Sequence, residues 1–90
     1  MRTPTYSTQF QRDVKRLQKR GKNLEKLKRL IELLLVGDPL PPQYKDHPPK
    51  HGWAGYRDAH VEPDWVLVYA ATVETVHLER TGTHEELFEI

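Results

Sequence analysis

The sequence predicts an α+β fold in which two N-terminal helices form a hairpin and pack on a small β-sheet. Three observations lead to this prediction. Residues 7–36 repeat apolar side chains with helical spacing, residues 55–81 contain short runs with the period of strands, and the segment Leu40-Pro-Pro-Gln separates the two parts. We therefore expect a single domain over residues 1–90, a length that allows one core and one site.

The first elements are a short strand and the helical hairpin. Residues 3–6 are predicted as the strand. Ser7 can cap a first helix that ends at Gly21, and its apolar stripe is Phe10, Val14 and Leu17. Asn23 can cap a second helix that ends at Gly37, and its apolar face is Leu24, Leu27, Leu30, Ile31, Leu34 and Leu35.

Four strands and a short helix are predicted after the linker. The strands are expected at residues 44–46, 55–61, 65–70 and 75–81, and a tight turn joins the second to the third. Both faces of residues 65–70 are apolar, so this strand should lie centrally, with the helices on one side of the sheet and the other side left for function. Thr83 and Glu86 have the spacing of a capping box, so a final helix should begin at His84.

Composition excludes several classes of protein. The chain has no cysteine, which rules out disulfides, thiolate zinc sites and a catalytic thiol. Residues 1–10 lack the apolar stretch of a signal peptide, and the longest apolar run, residues 33–36, is too short to span a bilayer. We expect a soluble, cytoplasmic protein.

The charge is strongly divided between the two parts of the chain. Residues 1–37 carry ten Lys and Arg against three Asp and Glu, whereas residues 38–90 carry four against ten. Such a sign bias favours a polyanion-binding surface, and we interpret it as RNA binding; the alternative is an ordinary solvated helix face. The predicted outward-facing cations are Arg12 and the RNA-binding set Lys15, Arg16, Lys19, Arg20, Lys22, Lys26, Lys28 and Arg29.

Histidine and aspartate side chains concentrate in the β part. Strand periodicity places Asp58 and His60 on one face with Tyr56, and Asp64 follows across the turn, near enough to orient His60 or share its proton. Histidine titrates near neutral pH, which suits proton transfer. The alternative is a pair of exposed polar residues at a strand end.

Three further residues extend this candidate site. His84 and Phe88 are four residues apart on the final helix and so share a face. Arg80 could reach a phosphate or pair with a nearby acid. His47 precedes two prolines, which fix its backbone, whereas His51 and His77 are predicted to be ordinary surface residues.

A metal site is the competing interpretation of these side chains. His47, Asp58, His60, Asp64 and His84 include suitable ligands. The sequence nevertheless has no HExxH motif, no histidine pair at i, i+4 on a helix and no fixed ligand spacing. We therefore predict no metal and no other cofactor.

Three motifs resemble a known family. They are Tyr44-Lys-Asp-His-Pro, then Gly55-Tyr-Arg-Asp-Ala-His-Val-Glu-Pro-Asp-Trp, then Glu79-Arg-Thr-Gly-Thr-His followed by Leu87-Phe88. Together they closely resemble the YafQ branch of the RelE/ParE toxin superfamily, over nearly the whole chain. The resemblance implies a RelE-like, microbial-ribonuclease-like fold with a small antiparallel sheet. It also implies a toxin of a bacterial type II toxin–antitoxin system that cleaves mRNA in the ribosomal A site and so inhibits translation.

The resemblance also implies roles for individual residues and a set of partners. The catalytic positions fall on His47, Asp58, His60, Asp64, Arg80, His84 and Phe88. The partners would be mRNA in the A site, ribosomal RNA and a cognate antitoxin, with no membrane. The sequence departs from the family pattern at Lys50-His51-Gly52 and at Glu89-Ile90, which bears on RNA contacts of the loop and on the chain terminus.

The predicted reaction is metal-independent cleavage with the RNA 2′-OH as nucleophile. His60 and His84 would be the acid and the base; we favour His84 as the proton donor, and the direction stays open. Asp58 and Asp64 would orient the imidazoles and His47 would support the proton transfer. Arg80 would meet the phosphate, and Phe88 would stack on a base. The alternatives are a ribonuclease acting on free RNA and a non-catalytic module that is gyrase-directed or only binds its antitoxin.

Overall fold

The computed structural model describes residues 1–49 and 53–88, without the side chain of Phe88. Its elements, in chain order, are β1 (Thr3–Tyr6), α1 (Thr8–Lys19), α2 (Leu24–Val36), a 3-10 turn (Pro42–Tyr44), β2 (Arg57–Glu62), β3 (Trp65–Ala71), β4 (Thr75–Gly82) and α3 (His84–Phe88). A helical hairpin, a sheet and a short final helix follow one another, so the predicted α+β class is confirmed.

Both helices of the hairpin begin at the predicted caps. The hydroxyl of Ser7 accepts a hydrogen bond of 2.8 Å from the backbone N–H of Phe10. The side chain of Asn23 accepts one of 3.1 Å from the N–H of Glu25. Helix α2 ends at Gly37, whose φ of 89° is the left-handed conformation that glycine adopts without a Cβ clash.

The four strands of the described chain form one sheet in the order β1-β4-β3-β2. The pairs β2–β3 and β3–β4 are antiparallel, and β3 lies inside the sheet as predicted. Strand β1 joins parallel to β4, with Thr3 opposite Thr75. The expected antiparallel sheet therefore describes three strands, and the fourth is parallel because a helical crossover follows β1.

Each face of the sheet packs on helices of a different part of the chain. Trp65, Leu67 and Leu78 pack with apolar side chains of the hairpin, namely Phe10, Leu17, Leu27, Leu30 and Leu34. On the opposite face Val66 and Val68 pack with Leu87 of α3. That second face is the one expected to be left for function, and α3 covers part of it.

The strand predicted at residues 44–46 is wrong. This segment instead follows the 3-10 turn Pro42–Tyr44, and Lys45 takes a left-handed φ of 46°. The two prolines at its start favour a turn because proline fixes φ and donates no hydrogen bond. Only His47 pairs with the sheet, through reciprocal 3.0 Å backbone hydrogen bonds with Asp58.

No helix in residues 1–49 and 53–88 combines the length and the apolarity needed to cross a bilayer.

Candidate active site

Three histidines from three separate elements come together on the face that α3 partly covers. His47 follows the 3-10 turn, His60 lies on β2, and His84 is the first residue of α3. The ring centroids of His47 and His60 are 5.5 Å apart, and those of His60 and His84 are 5.6 Å apart. We call these three residues the histidine cluster, with His60 at its centre.

A backbone carbonyl defines the tautomer of His47. Its Nδ1 lies 2.6 Å from the carbonyl oxygen of Lys45. Because a carbonyl only accepts hydrogen bonds, Nδ1 must carry the hydrogen, and the lone pair of the neutral ring is on Nε2. The left-handed backbone of Lys45 thus turns a carbonyl towards the imidazole and leaves the opposite nitrogen for chemistry.

His60 is the most unusual member of the cluster. Both of its ring nitrogens are buried, and within the described part of the chain neither has a hydrogen-bond partner. Burial lowers the pKa of His60, and the neighbouring His47 and His84 lower it further, since a second positive charge would be repelled. His60 is therefore held as a neutral imidazole.

His84 is oriented by Asp64 across the β2–β3 turn. Its Nδ1 lies 3.1 Å from Oδ1 of the carboxylate. The hydrogen bond from His84 holds the pKa of Asp64 below its usual range, so the partner is a carboxylate and Nδ1 is the donor. The prediction that Asp64 orients His60 is wrong: the capping box at Thr83 starts α3 beside the turn, which brings His84 to the carboxylate instead.

Asp58 lies next to the cluster in a buried position. It is 5% exposed, it opposes Val68 on β3, and its backbone holds the segment that carries His47. Its predicted place on the face of His60 is confirmed by the strand register, because His60 opposes Val66, which like Val68 packs on that face.

Arg80 pairs with an acid, which is one of the two alternatives that the sequence left open. Its Nε and Nη2 donate to the carboxylate of Asp13 over 2.7 and 3.2 Å. Sequence reasoning missed Asp13. The available signal was its position in the apolar stripe of α1, three residues after Phe10 and four before Leu17, where a charged side chain requires a buried partner.

The remaining predicted site residues lie away from the cluster or outside the described residues. The backbone of Phe88 ends α3, and the predicted contact of its side chain with a base stays a prediction. His51 lies outside the described residues. His77 contacts the Thr5 hydroxyl and the Glu79 carboxylate over 2.8 and 2.9 Å, with no part in the cluster.

Residues 2–89 match the protein family described as the bacterial toxin of type II toxin–antitoxin system, YafQ. The chain belongs to the YafQ family. Among its relatives, an mRNA interferase toxin YafQ of Escherichia coli strain B is 57% identical over 84 residues, which cover 92% of this chain and 91% of the relative. The expected family is thus confirmed, and the relative's name agrees with the expected endoribonuclease activity.

Solved structures of similar toxins share the architecture of this chain. A toxin in the E. coli DinJ–YafQ toxin–antitoxin complex superposes with a TM-score of 0.91 at 55% identity and covers 97% of both chains. A metal-bound toxin from Helicobacter pylori superposes with the same TM-score at 41% identity and covers 98% of this chain and all of its own. The fold predicted from the YafQ resemblance is therefore confirmed.

In this YafQ-family chain, no group of three or more His, Asp or Glu side chains among the described residues is arranged to hold a metal ion. The Nδ1 atoms of His47 and His84 are turned to Lys45 and Asp64. Metal-bound histidines commonly hold their other ring nitrogen in this way, so these two bonds do not exclude a metal, and the predicted absence of a cofactor stays a prediction.

Several of the predicted RNA-binding cations are engaged by acids. Arg16 and Arg20 both bond to Glu86, and Lys22 and Lys26 both bond to Glu62. Arg16 in particular does not point outward freely, which corrects its assignment to the outward-facing set. The exposed cations of the helical hairpin that form no ion pair with described residues are Arg12, Lys15, Lys19, Lys28 and Arg29.

Proposed function

We propose that this toxin is an endoribonuclease that enters the ribosomal A site and cuts mRNA there, which stops translation. The observation that carries the proposal is the histidine cluster, in which a neutral His60 lies between two histidines whose Nδ1 atoms are already hydrogen-bonded. Two groups able to exchange protons on either side of a phosphodiester are what 2′-OH transesterification requires. The mRNA interferase name of a relative that is 57% identical gives the substrate class.

His60 acts as the general base in the proposed reaction. Its lowered pKa keeps the ring neutral, so that it can take the proton of the 2′-OH. The 2′-oxygen then forms a bond to phosphorus and the bond from phosphorus to the 5′-oxygen breaks. The products are a 2′,3′-cyclic phosphate and a 5′-hydroxyl, and no metal ion takes part.

His84 acts as the general acid and donates the proton that the leaving 5′-oxygen needs. The carboxylate of Asp64 beside Nδ1 orients the imidazole, and the opposite nitrogen carries the proton that is transferred. This division agrees with the direction favoured from the sequence. His47, whose Nδ1 bonds to the Lys45 carbonyl, presents Nε2 and relays or shares the proton.

Arg80 stabilises the negative charge that develops on the phosphate oxygens. Its guanidinium is bonded to Asp13 through Nε and Nη2, which leaves donors for a second anion. Asp58 supports the segment that carries His47. Phe88 stacks on a base of the codon, an interaction worth about 1–3 kcal/mol in single-strand binding.

The exposed cations of the helical hairpin bind ribosomal RNA. Their exposure and their lack of ion pairs with described residues support this role, since phosphate contacts come from available Lys and Arg side chains. A cognate antitoxin forms a neutralising complex with the toxin. The E. coli toxin of known structure, 55% identical, has such a partner.

The test is cleavage of mRNA by the purified protein with and without programmed ribosomes, with 5′-ends mapped by primer extension and EDTA present in a parallel reaction. We expect cuts that need the ribosome, persist in EDTA and disappear with His84→Ala. Equal cutting of free RNA would indicate a general ribonuclease. No cutting in either condition would indicate a non-catalytic binding module, and loss of cutting in EDTA would contradict the metal-free reaction.

A further inference from the structure

Asp13 is a fully buried carboxylate in the middle of α1. Its oxygens accept hydrogen bonds from Nε of Arg80 at 2.7 Å, Nη1 of Arg16 at 2.8 Å and the backbone N–H of Thr81 at 3.1 Å. Burial alone would raise the pKa of Asp13, but the bonds from Arg80, Arg16 and Thr81 hold it below its usual range. A buried, ionised carboxylate with this many hydrogen-bond donors holds each donor residue in a fixed position.

The sheet topology explains why Asp13 stands there. Strand β1 ends at Tyr6, so β4 has no strand neighbour on that edge beyond Leu78. Side chains of α1 and of its cap Ser7 make the hydrogen bonds to the β4 backbone that a neighbouring strand would otherwise make. The Ser7 hydroxyl donates to the carbonyl of Glu79 over 2.6 Å, Asp13 accepts the N–H of Thr81, and Nη2 of Arg16 donates to the carbonyl of Thr81 over 3.3 Å.

Arg16 extends this arrangement to the helix that carries His84. Its Nε lies 2.7 Å from Glu86, whose carboxylate also caps the start of α3 by accepting the N–H of Thr83. Gly82 leaves room for the guanidinium of Arg16 to pass between β4 and α3, because a Cβ there would lie 2.9 Å from Nη2 of Arg16. We call Asp13, Arg16, Arg80 and Glu86 the Asp13 network.

The geometry of Arg80 leaves half of its guanidinium for another ligand. Asp13 takes the edge formed by Nε and Nη2, and Nη1 makes no hydrogen bond with any described residue. Arg80 opposes Val68 on β3, and Val68 in turn opposes Asp58 on β2, so Arg80 lies in the row next to His60. A planar guanidinium can bind a carboxylate and a phosphate at once, whereas a single ammonium cannot keep both geometries.

We propose that Asp13 is a positioning residue that fixes the guanidinium of Arg80 for the scissile phosphate. This inference rests on the proposed cleavage reaction and adds to it a residue that never touches the RNA. Asp13 acts by holding one edge of Arg80 against the β4 backbone, so that the other edge is aimed before substrate arrives.

The main test is Asp13→Asn in single-turnover cleavage on programmed ribosomes. We expect the rate to fall about tenfold to a hundredfold, as misplaced catalytic groups do, with ribosome affinity within about twofold of wild type. Asp38→Asn is the matched control, because it makes the same chemical change at an exposed position and should leave the rate unchanged. A full rate with Asp13→Asn would overturn the proposal.

A double-mutant cycle separates positioning from a general effect on the fold. In an Arg80→Ala background, Asp13→Asn should change the rate by less than about twofold, because the residue through which Asp13 acts is gone. An equal loss in both backgrounds would show that Asp13 acts through the fold and would overturn the proposal. Wild-type cleavage by Arg80→Ala would overturn it as well.

Two further measurements test the proposal if Asp13→Asn does not fold, and the second of them also applies if the wild type does not cut RNA. Arg80→Lys should be nearly as slow as Arg80→Ala, and a rate within about threefold of wild type would mean that charge alone suffices. The Nε–H signal of Arg80 in NMR spectra should be protected from solvent exchange. Rapid exchange of this Nε–H would show that Asp13 does not hold Arg80 in place. A protected Nε–H in a protein that cuts no RNA would refute only the proposed function.

Discussion

The histidine cluster and the Asp13 network are both built from titratable side chains of separate elements, but they differ in how completely those side chains are bonded. In the network, Asp13 accepts hydrogen bonds from three residues, and Glu86 bonds to Arg16 and Arg20. In the cluster, the two nitrogens of His60 have no partner among the described residues. The network pairs its charges, and the cluster holds a neutral His60 without such partners in the described part of the chain.

The difference separates stability from chemistry. Buried polar groups are nearly always hydrogen-bonded, so an imidazole with two unpartnered nitrogens marks a position that awaits a ligand or a proton. The Asp13 network lies along β4 and reaches both Arg80 and the start of α3. A densely hydrogen-bonded region thus supports one that is not, so loss of a network residue should lower stability, whereas loss of a cluster residue should lower activity with little effect on stability.

The largest expected effect is the loss of RNA cleavage when a residue of the histidine cluster is substituted. His84→Gln removes the proposed proton donor and should slow single-turnover cleavage about 10²- to 10⁴-fold, which is the usual contribution of general acid–base catalysis. The melting temperature should hardly change, because His84 and Asp64 form an exposed pair with side chains 41% and 75% accessible. Rate and thermal unfolding are both measured on the same preparation.

His77→Gln is the control for the cluster. His77 also pairs with a carboxylate, that of Glu79, but it has no part in the cluster. This variant should cut at the wild-type rate. If the two substitutions slowed cleavage equally, the special role of the cluster would be refuted.

Removing Arg16 from the Asp13 network should lower stability, which removing His84 should not. Arg16→Ala removes the bonds to Asp13 and Glu86 and leaves a buried carboxylate with fewer donors. We expect a loss of about 2 kcal/mol in the free energy of unfolding, below the usual value for a broken buried pair because Arg80 remains on Asp13. In a domain of this size that lowers Tm by roughly 8–16 °C.

Lys26→Ala is the comparison for the network. Lys26 binds Glu62 over 2.8 Å at an exposed position, where ion pairs contribute less than about 1 kcal/mol. Chemical denaturation of both variants gives the two values. If Arg16→Ala cost no more than Lys26→Ala, the Asp13 network would not be a main source of rigidity.

Local sequence signals were enough for the elements but not for the network. Ser7, Asn23 and Thr83 cap their helices through neighbours two or three residues away, so the sequence identifies them directly. Asp13 and Arg80 are 67 residues apart, and nothing local signals that they meet. For the same reason the sequence did not show that Asp64 bonds to His84 and not to His60. That pairing depends on where α3 packs.

A third prediction compares cations that are paired with acids and cations that are not. Lys15, Lys19 and Lys28 are exposed and form no ion pair with described residues, so reversing all three to Glu should weaken ribosome binding by about tenfold or more. The slope of log affinity against log salt should also become shallower, by about one for each phosphate that the variant no longer neutralises. His84→Gln is the control and should bind as wild type does. An unchanged salt slope would show that these lysines do not form the RNA-binding surface.

The smallest expected effect is a pH dependence that comes from the centre of the cluster. The folded protein keeps the pKa of His60 below the ordinary value of about 6.5, so between those two values the unfolded chain binds more protons. Stability contributed by neutral His60 is therefore complete above pH 6.5 and is lost as pH falls through the folded pKa. Unfolding free energies of wild type and His60→Gln, measured from pH 8 to 5, should diverge as the pH falls below about 6.5, with the variant less sensitive to acid. Parallel curves would mean that His60 is not held neutral, and the same result would remove the reason for assigning it the role of base.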